Sequence, residues 1–146
     1  MNAAMQSKQK KVPKPKKYNA FVRQIEISNV RMLSSRVDLL DYSYFPSSAE
    51  VNFRVAESYE NAGEQFNVFH KYKLTITDRE TKEAKAKISV TFCVAYNSPI
   101  PMSDDIFEVF KKGNLMLNTW PYLREFVHNT VGRMGWALLI VPSHAV

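Results

Sequence analysis

Phe66-Asn67-Val68-Phe69-His70-Lys71-Tyr72-Lys73-Leu74-Thr75-Ile76-Thr77 alternates along nearly its whole length. Phe66, Val68, His70, Tyr72, Leu74 and Ile76 fall on one side; Asn67, Lys71, Lys73, Thr75 and Thr77 fall on the other, with Phe69 the exception. A period of two is what a strand needs to bury one face and wet the other. Downstream, the charged turn Asp78-Arg79-Glu80-Thr81-Lys82-Glu83 leads to a second alternating run, Ile88, Val90, Phe92, Val94 and Tyr96 against Ser89, Thr91, Cys93 and Ala95. Upstream, Val51, Phe53 and Val55 alternate with Asn52, Arg54 and Ala56, and 59–65, with Asn61-Ala62-Gly63, reads as the intervening turn. Connections this short cannot make parallel crossovers, so the three strands form an antiparallel meander. A fourth strand is expected before them. From Tyr18 the chain is dense in β-formers (Phe21, Val22, Ile25, Ile27, Val30, Met32, Leu33), until the polar and aromatic stretch 38–48 with Pro46 breaks the pattern.

Pro99 and Pro101 end the sheet. Ser103-Asp104-Asp105 then predicts a helix start, with two acids where the helix dipole favours them, and Lys111-Lys112-Gly113 its stop. Asn118-Thr119 is expected to cap a second helix over 120–134, with Pro121 in its first turn and Gly135 at its end. Four strands followed by two helices define an α+β domain: a four-stranded antiparallel sheet packed by two C-terminal helices. On the second helix Trp120, Tyr122, Leu123, Phe126, Val127, Thr130, Val131 and Met134 cover about half the circumference, whereas one sheet face needs roughly 100°. The surplus includes Tyr122, Phe126 and either Trp120 or Val131. A self-complementary apolar helix face predicts at least a two-fold dimer.

The 146 residues carry a net charge of +6, unevenly. Residues 1–17 hold six lysines and no acid, so residues 18–146 balance to zero. The first 17 residues read as a disordered, basic, Lys/Pro-rich tail ahead of a single domain over 18–146. The tail's two readings are a solubilising arm or weak contact with polyanions; with no aromatic before Tyr18 and no Arg, it lacks the means of base readout. Its basic start runs into Val12-Pro13-Lys14-Pro15 and not an apolar run of signal length, so a cytoplasmic home is expected.

The residues argue against catalysis. Four glycines include no phosphate-cradling motif, and no Ser sits in a GxSxG turn. One Cys excludes an internal disulfide and a cysteine zinc site, and no cofactor is expected. His128, near Arg124 and Glu125, falls on the polar arc of its helix as a solvated pair. Asp104 and Asp105 point about 100° apart and serve the helix start. His70 on an apolar face reads as a satisfied core or interface histidine, and Cys93 as an inert thiol. The aromatics (Phe 9, Tyr 7, Trp 2) are numerous for one small core. They are either all core and dimer interface, or a surface for partners.

Asn118-Thr119-Trp120-Pro121-Tyr122-Leu123-Arg124-Glu125-Phe126-Val127 and Val131-Gly132-Arg133-Met134-Gly135-Trp136-Ala137-Leu138-Leu139-Ile140-Val141-Pro142 resemble the SecB family of bacterial chaperones. The family's Pro-Tyr-x-Arg-Glu stretch is matched by Pro121, Tyr122, Arg124 and Glu125, its helix end loosely by Arg133-Met134-Gly135, and its closing apolar strand-like segment by Leu138 to Pro142. The likeness extends more weakly over residues 21–146. It implies a four-stranded sheet packed by two helices, a dimer of dimers, and an apolar groove that holds unfolded clients without ATP. The clients would be export precursors or, for members serving toxin–antitoxin systems, antitoxins. The client-binding residues it suggests are Val51, Phe53 and Val55 as groove floor, with Phe66, Trp120, Leu123, Phe126 and Trp136; Tyr122, Phe126 and Val131 are assigned to the oligomer interface. Exporting members dock the translocase motor through an acidic sheet surface. Here the comparable segments carry Arg23, Arg31, Lys85 and Lys87 with Glu26 as an early acid, and with the sequence reading to Val146 an acidic C-terminal tail is not expected. Holdase activity therefore transfers better than motor docking. The rival readings are an adaptor or structural subunit with one permanent protein partner, and a basic-tailed nucleic-acid binder.

Overall fold

The alternation of 66–77 becomes the centre of a sheet. In the computed structural model, which describes residues 12–136, the elements run α1 Pro15–Gln24, β1 Glu26–Leu39, β2 Ala49–Ala62, β3 Gln65–Asp78, β4 Ala84–Asn97, α2 Asp104–Phe110 and α3 Asn114–Arg133. The strands form one antiparallel sheet in the order β1-β4-β3-β2. β2, β3 and β4 make the expected meander, and β1 joins from the far side of β4. The register lines up Val37, Ile88, Leu74 and Phe53 in one row and Met32, Phe92, His70 and Glu57 in another. The β2–β3 turn tightens to Gly63-Glu64, where Gly63 takes a φ of 63° that a Cβ would oppose.

Four sequence expectations are corrected. Residues 18–24 are helical, not strand. Tyr18, Phe21, Val22 and Ile25 recur at i, i+3, i+4 and i+7, the helical period, behind Pro15 in the first turn. The helix also takes in Pro15-Lys16-Lys17, so the boundary expected at residue 17 falls inside α1; residues 1–11 lie outside the described part. α3 begins at Asn114 after Gly113, a turn earlier than the Asn118-Thr119 cap, and Pro121 stands within it. Leu115 and Thr119, both buried, extend its apolar face backward. Ser103 does occupy the position before α2, but its hydroxyl turns to the Asp105 carboxylate instead of a backbone N–H.

Strands of 14 residues are ~46 Å long, while the 20 residues of α3 span ~30 Å, so one helix cannot cover the sheet end to end. The core divides accordingly. At one end Leu123, Val127 and Val131 of α3 pack on Tyr72, Leu74, Ile76, Ile88, Val90 and Phe92. At the other, Phe21 of α1, Ile106, Phe107 and Phe110 of α2 and Leu115 enclose Phe66, Val68, Val94 and Tyr96. The loop 40–48 crosses the first of these ends from β1 to β2. Lys85 holds it through Asp41 at 3.1 Å, and the Trp136 indole N–H donates to the Tyr44 carbonyl at 3.0 Å.

A polar anchor fixes α3 on the sheet. Fully buried Thr119 has its Oγ1 3.1 Å from the Leu115 carbonyl, 2.7 Å from Tyr72 Oη and 2.9 Å from His70 Nδ1. A hydroxyl has one hydrogen and two lone pairs, so all three contacts are satisfied together when Tyr72 Oη and His70 Nδ1 donate. Thr119→Val keeps the shape and removes the one oxygen that accepts from both Tyr72 and His70. We predict a loss of about 1–3 kcal/mol in urea unfolding; a change below about 0.5 kcal/mol, the range of an ordinary surface substitution, would contradict the anchor.

Candidate functional site

α3 lies along β3 and β4 and leaves the same face of the two edge strands only partly covered. On β2, Val51 is half-buried, while Phe53 and Val55 remain 40% and 46% exposed. Phe53 lies against Trp120 with ring centroids 5.7 Å apart. The β2 strip therefore has an apolar floor and an aromatic wall supplied by the helix. On β1, Met32, Val37 and Leu39 share the face of Phe92, Ile88 and Ala86 and are exposed. Between β1 and α3 a cavity of about 160 Å³ is lined by Val30, Met32, Phe92, Tyr122 and Phe126, with Arg31 and Glu125 also on its wall.

The residues proposed from sequence separate into two groups. Phe66, Leu123 and Trp136 are buried: Phe66 stacks on Tyr96 in the far core, Leu123 faces the sheet, and Trp136 is tied to Tyr44. Their side chains support the surface and do not form it. Val51, Phe53, Val55 and Phe126 stay accessible, and nearly buried Trp120 meets them at the ring of Phe53. Of the interface residues, Tyr122 is exposed and Phe126 half-buried, but Val131 packs into the core. Trp120 and Val131 thus both face the sheet, because the sheet accepts a wider arc than roughly 100°. Leu138 to Pro142, matched in the resemblance, lie outside the described residues.

The β1 strip had a signal that its bulges disguise. The pairing with β4 slips between Ile27 and Asn29 and again between Met32 and Ser34. Each slip shifts the alternation by one residue, so Val30, Met32 and Val37 do not read as one face in sequence.

The opposite face of the sheet is polar and carries no helix among the described residues. Of the cations considered from sequence, Arg31 and Lys87 lie on it. Arg23 is on α1, and Lys85 is largely buried between Asp41 and Glu83, each at 3.1 Å. Arg36, Arg54, Lys71 and Lys73 join Arg31 and Lys87 there, all exposed, a basic character that the alternation of β2 and β3 already implied.

Beneath the β2 strip lies a titratable pair. Glu57 is directly opposite His70, with 3.7 Å between Oε1 and Nε2. His70 is fully buried, its Nε2 has no hydrogen-bond partner among the described residues, and burial pushes its pKa down to about 4. The expected satisfied core histidine is therefore satisfied at Nδ1 alone.

The fold is similar to that of a SecB-like chaperone. No family model matches the sequence, and no curated protein matches it. Among solved structures, the Mycobacterium tuberculosis SecB-like chaperone Rv1957, in complex with a ChAD peptide from the Rv1956 HigA1 antitoxin, aligns with a TM-score of 0.74 at 14% identity. The alignment covers 89% of this chain and 98% of that one. The likeness is one of fold. Among the described residues no helix is long and apolar enough to cross a membrane.

The His70 environment sets a pH dependence. The unfolded chain binds a proton at His70 near pH 6.5, whereas the folded chain resists it until about pH 4. Stability is therefore lost as pH falls through that window, by about 2 kcal/mol between pH 7 and pH 5. The carboxyls of Asp41, Asp78 and Asp105, held low by hydrogen bonds from Ser43, Thr81 and Ser103 respectively, exert their effect below it. Urea titrations at the two pH values should show this loss in the unmodified chain and not in His70→Gln; an equal loss in both would contradict it.

Proposed function

We propose that the protein is an ATP-independent chaperone that holds an unfolded, extended client polypeptide on the β2 strip. The observation that carries this reading is the apolar row Val51, Phe53 and Val55, left exposed beside Trp120 in a fold shared with a SecB-like chaperone. An extended segment can pair with the outer edge of β2, which has no strand partner among the described residues, while its alternate side chains cover Phe53 and Val55. Affinity then comes from apolar burial and main-chain hydrogen bonds, which gives breadth over sequence specificity. Buried Phe66, Leu123 and Trp136 act as support.

The β1 strip suits a second copy of the chain. It joins an edge of 14 residues, without an outer strand partner among the described residues, to the cavity beside Tyr122 and Phe126, and a two-fold axis would bring two such edges together. The SecB resemblance implies that such dimers pair in turn, as a dimer of dimers. Of the two client classes, an antitoxin is favoured over an export precursor. The structural neighbour holds an antitoxin peptide, and the open sheet face is basic where motor docking calls for an acidic one.

The test is suppression of aggregation of several chemically denatured clients at stoichiometric ratios without ATP, with light scattering of the free protein alongside. The unmodified chain should suppress aggregation and scatter as at least a dimer. Phe53→Asp with Val55→Asp should weaken client binding about tenfold or more, since each buried apolar side chain contributes about 1.5–3 kcal/mol. Tyr122→Glu should lower the mass. Absence of suppression across all clients, or full suppression by the double variant, would overturn the reading.

A further inference from the structure

The open face of the sheet concentrates one sign of charge in its middle. Register places Arg36, Ser89, Lys73 and Arg54 in a single row across the four strands, with Arg54 directly opposite Lys73. Lys87 lies in the next row on one side and Lys71 in the next row on the other, with Arg31 beyond it. An open trough of about 900 Å³ on this face is lined by Arg36, Arg54, Lys73 and Lys87 together with Asn52, Thr75 and Ser89, and by one acid, Asp38, directly opposite Lys87. Arg36 is paired with Asp38 at 2.9 Å. Among the described residues, Arg31, Arg54, Lys71, Lys73 and Lys87 have no ion-pair partner. Like charges directly opposite each other on a sheet cost stability. A face that needed only to be wet would do as well with mixed signs.

We propose that this face is a second docking surface, separate from the apolar strips, for an acidic polypeptide segment. Charge complementarity selects an anionic partner, and the neutral side chains of the lining select a peptide. The row of cations is about 14 Å wide at 4.7–4.9 Å per strand, the width over which a segment aligned with the strands can be met. Side chains two apart on a strand, such as Lys71 and Lys73, repeat at about 6.6–6.8 Å, the repeat of carboxylates at alternate positions of an extended segment. Ser89, Thr75 and Asn52 offer neutral hydrogen bonds to its main chain. Bases of a single-stranded nucleic acid would need aromatic platforms, and the only aromatic in these rows is Phe69, half-buried and outside the trough lining. The surface stands on the fold and its charges and does not depend on the chaperone reading.

The full-length chain is titrated into a fluorescein-labelled oligoglutamate peptide, and separately into an oligothymidylate of equal charge, by anisotropy at one fixed salt concentration. Arg54→Glu puts a carboxylate opposite Lys73. It should weaken the oligoglutamate affinity about tenfold while raising the thermal midpoint by about 1–4 °C, because a like-charge cross-strand pair becomes an opposite one. Aggregation suppression should be unchanged, which separates failure here from failure of the chaperone reading. Lys8→Gln with Lys10→Gln and Lys11→Gln, confined to the basic tail, should leave the affinity as it was. The proposal is overturned if Arg54→Glu binds the peptide as well as the unmodified chain, if the tail variant accounts for the loss, or if the oligothymidylate binds more tightly than the peptide.

Discussion

A helix with its side chains is about 10–12 Å across, and four strands at 4.7–4.9 Å spacing are ~14 Å wide between outer axes alone. α3 can therefore bury the middle strands and no more. Its apolar side chains meet β3 and β4, whose inner faces are almost wholly buried, while those of β1 and β2 stay partly wet. A sheet that needed nothing else would have polar side chains at those outer positions. This one keeps Phe53, Val55, Met32, Val37 and Leu39 there. The mismatch in width between one helix and four strands is what makes two apolar strips, and every functional reading of the inner face follows from them.

That arrangement requires α3 to stay centred, and apolar contacts alone do not fix its position along the sheet. The Thr119 hydroxyl supplies a directional constraint, since only one placement brings it to both Tyr72 Oη and His70 Nδ1. The loop 40–48 supplies another at the helix's far end through Tyr44 and Trp136. Between them these contacts hold the ring of Trp120 against Phe53. The same packing leaves His70 Nε2 buried without a partner beside Glu57, an electrostatic cost that the anchor's geometry imposes.

The meander was legible because β2, β3 and β4 keep an unbroken period of two. β1 was harder to read: bulges interrupt its alternation, and α1 in front of it shares the same residue types, so Tyr18 to Ile25 read as strand despite a helical spacing. The start of α3 is disguised because Asn118-Thr119 before Pro121 imitates a cap, while Thr119 in fact points into the core. At the candidate site, alternation places Val51, Phe53 and Val55 on one strand face, and a client-binding role for them is what the SecB resemblance implies. Which aromatics are structural could not be read, because sequence does not show that Phe66 and Trp136 belong to opposite ends of a divided core. The basic open face was hidden by the neutral sum of residues 18–146: strand register, and not composition, gathers its cations.

The central claim is that the inner face of β2 is where an unfolded polypeptide binds. Hydrogen exchange of the full chain, alone and saturated with a reduced, unfolded client, tests it most directly. Amides on the outer edge of Ala49–Ala62 have no strand partner among the described residues and should gain protection when the client pairs there, while those of β4, already bonded on both sides, should not change. Protection that leaves Ala49–Ala62 untouched and appears only elsewhere in the chain would contradict the account.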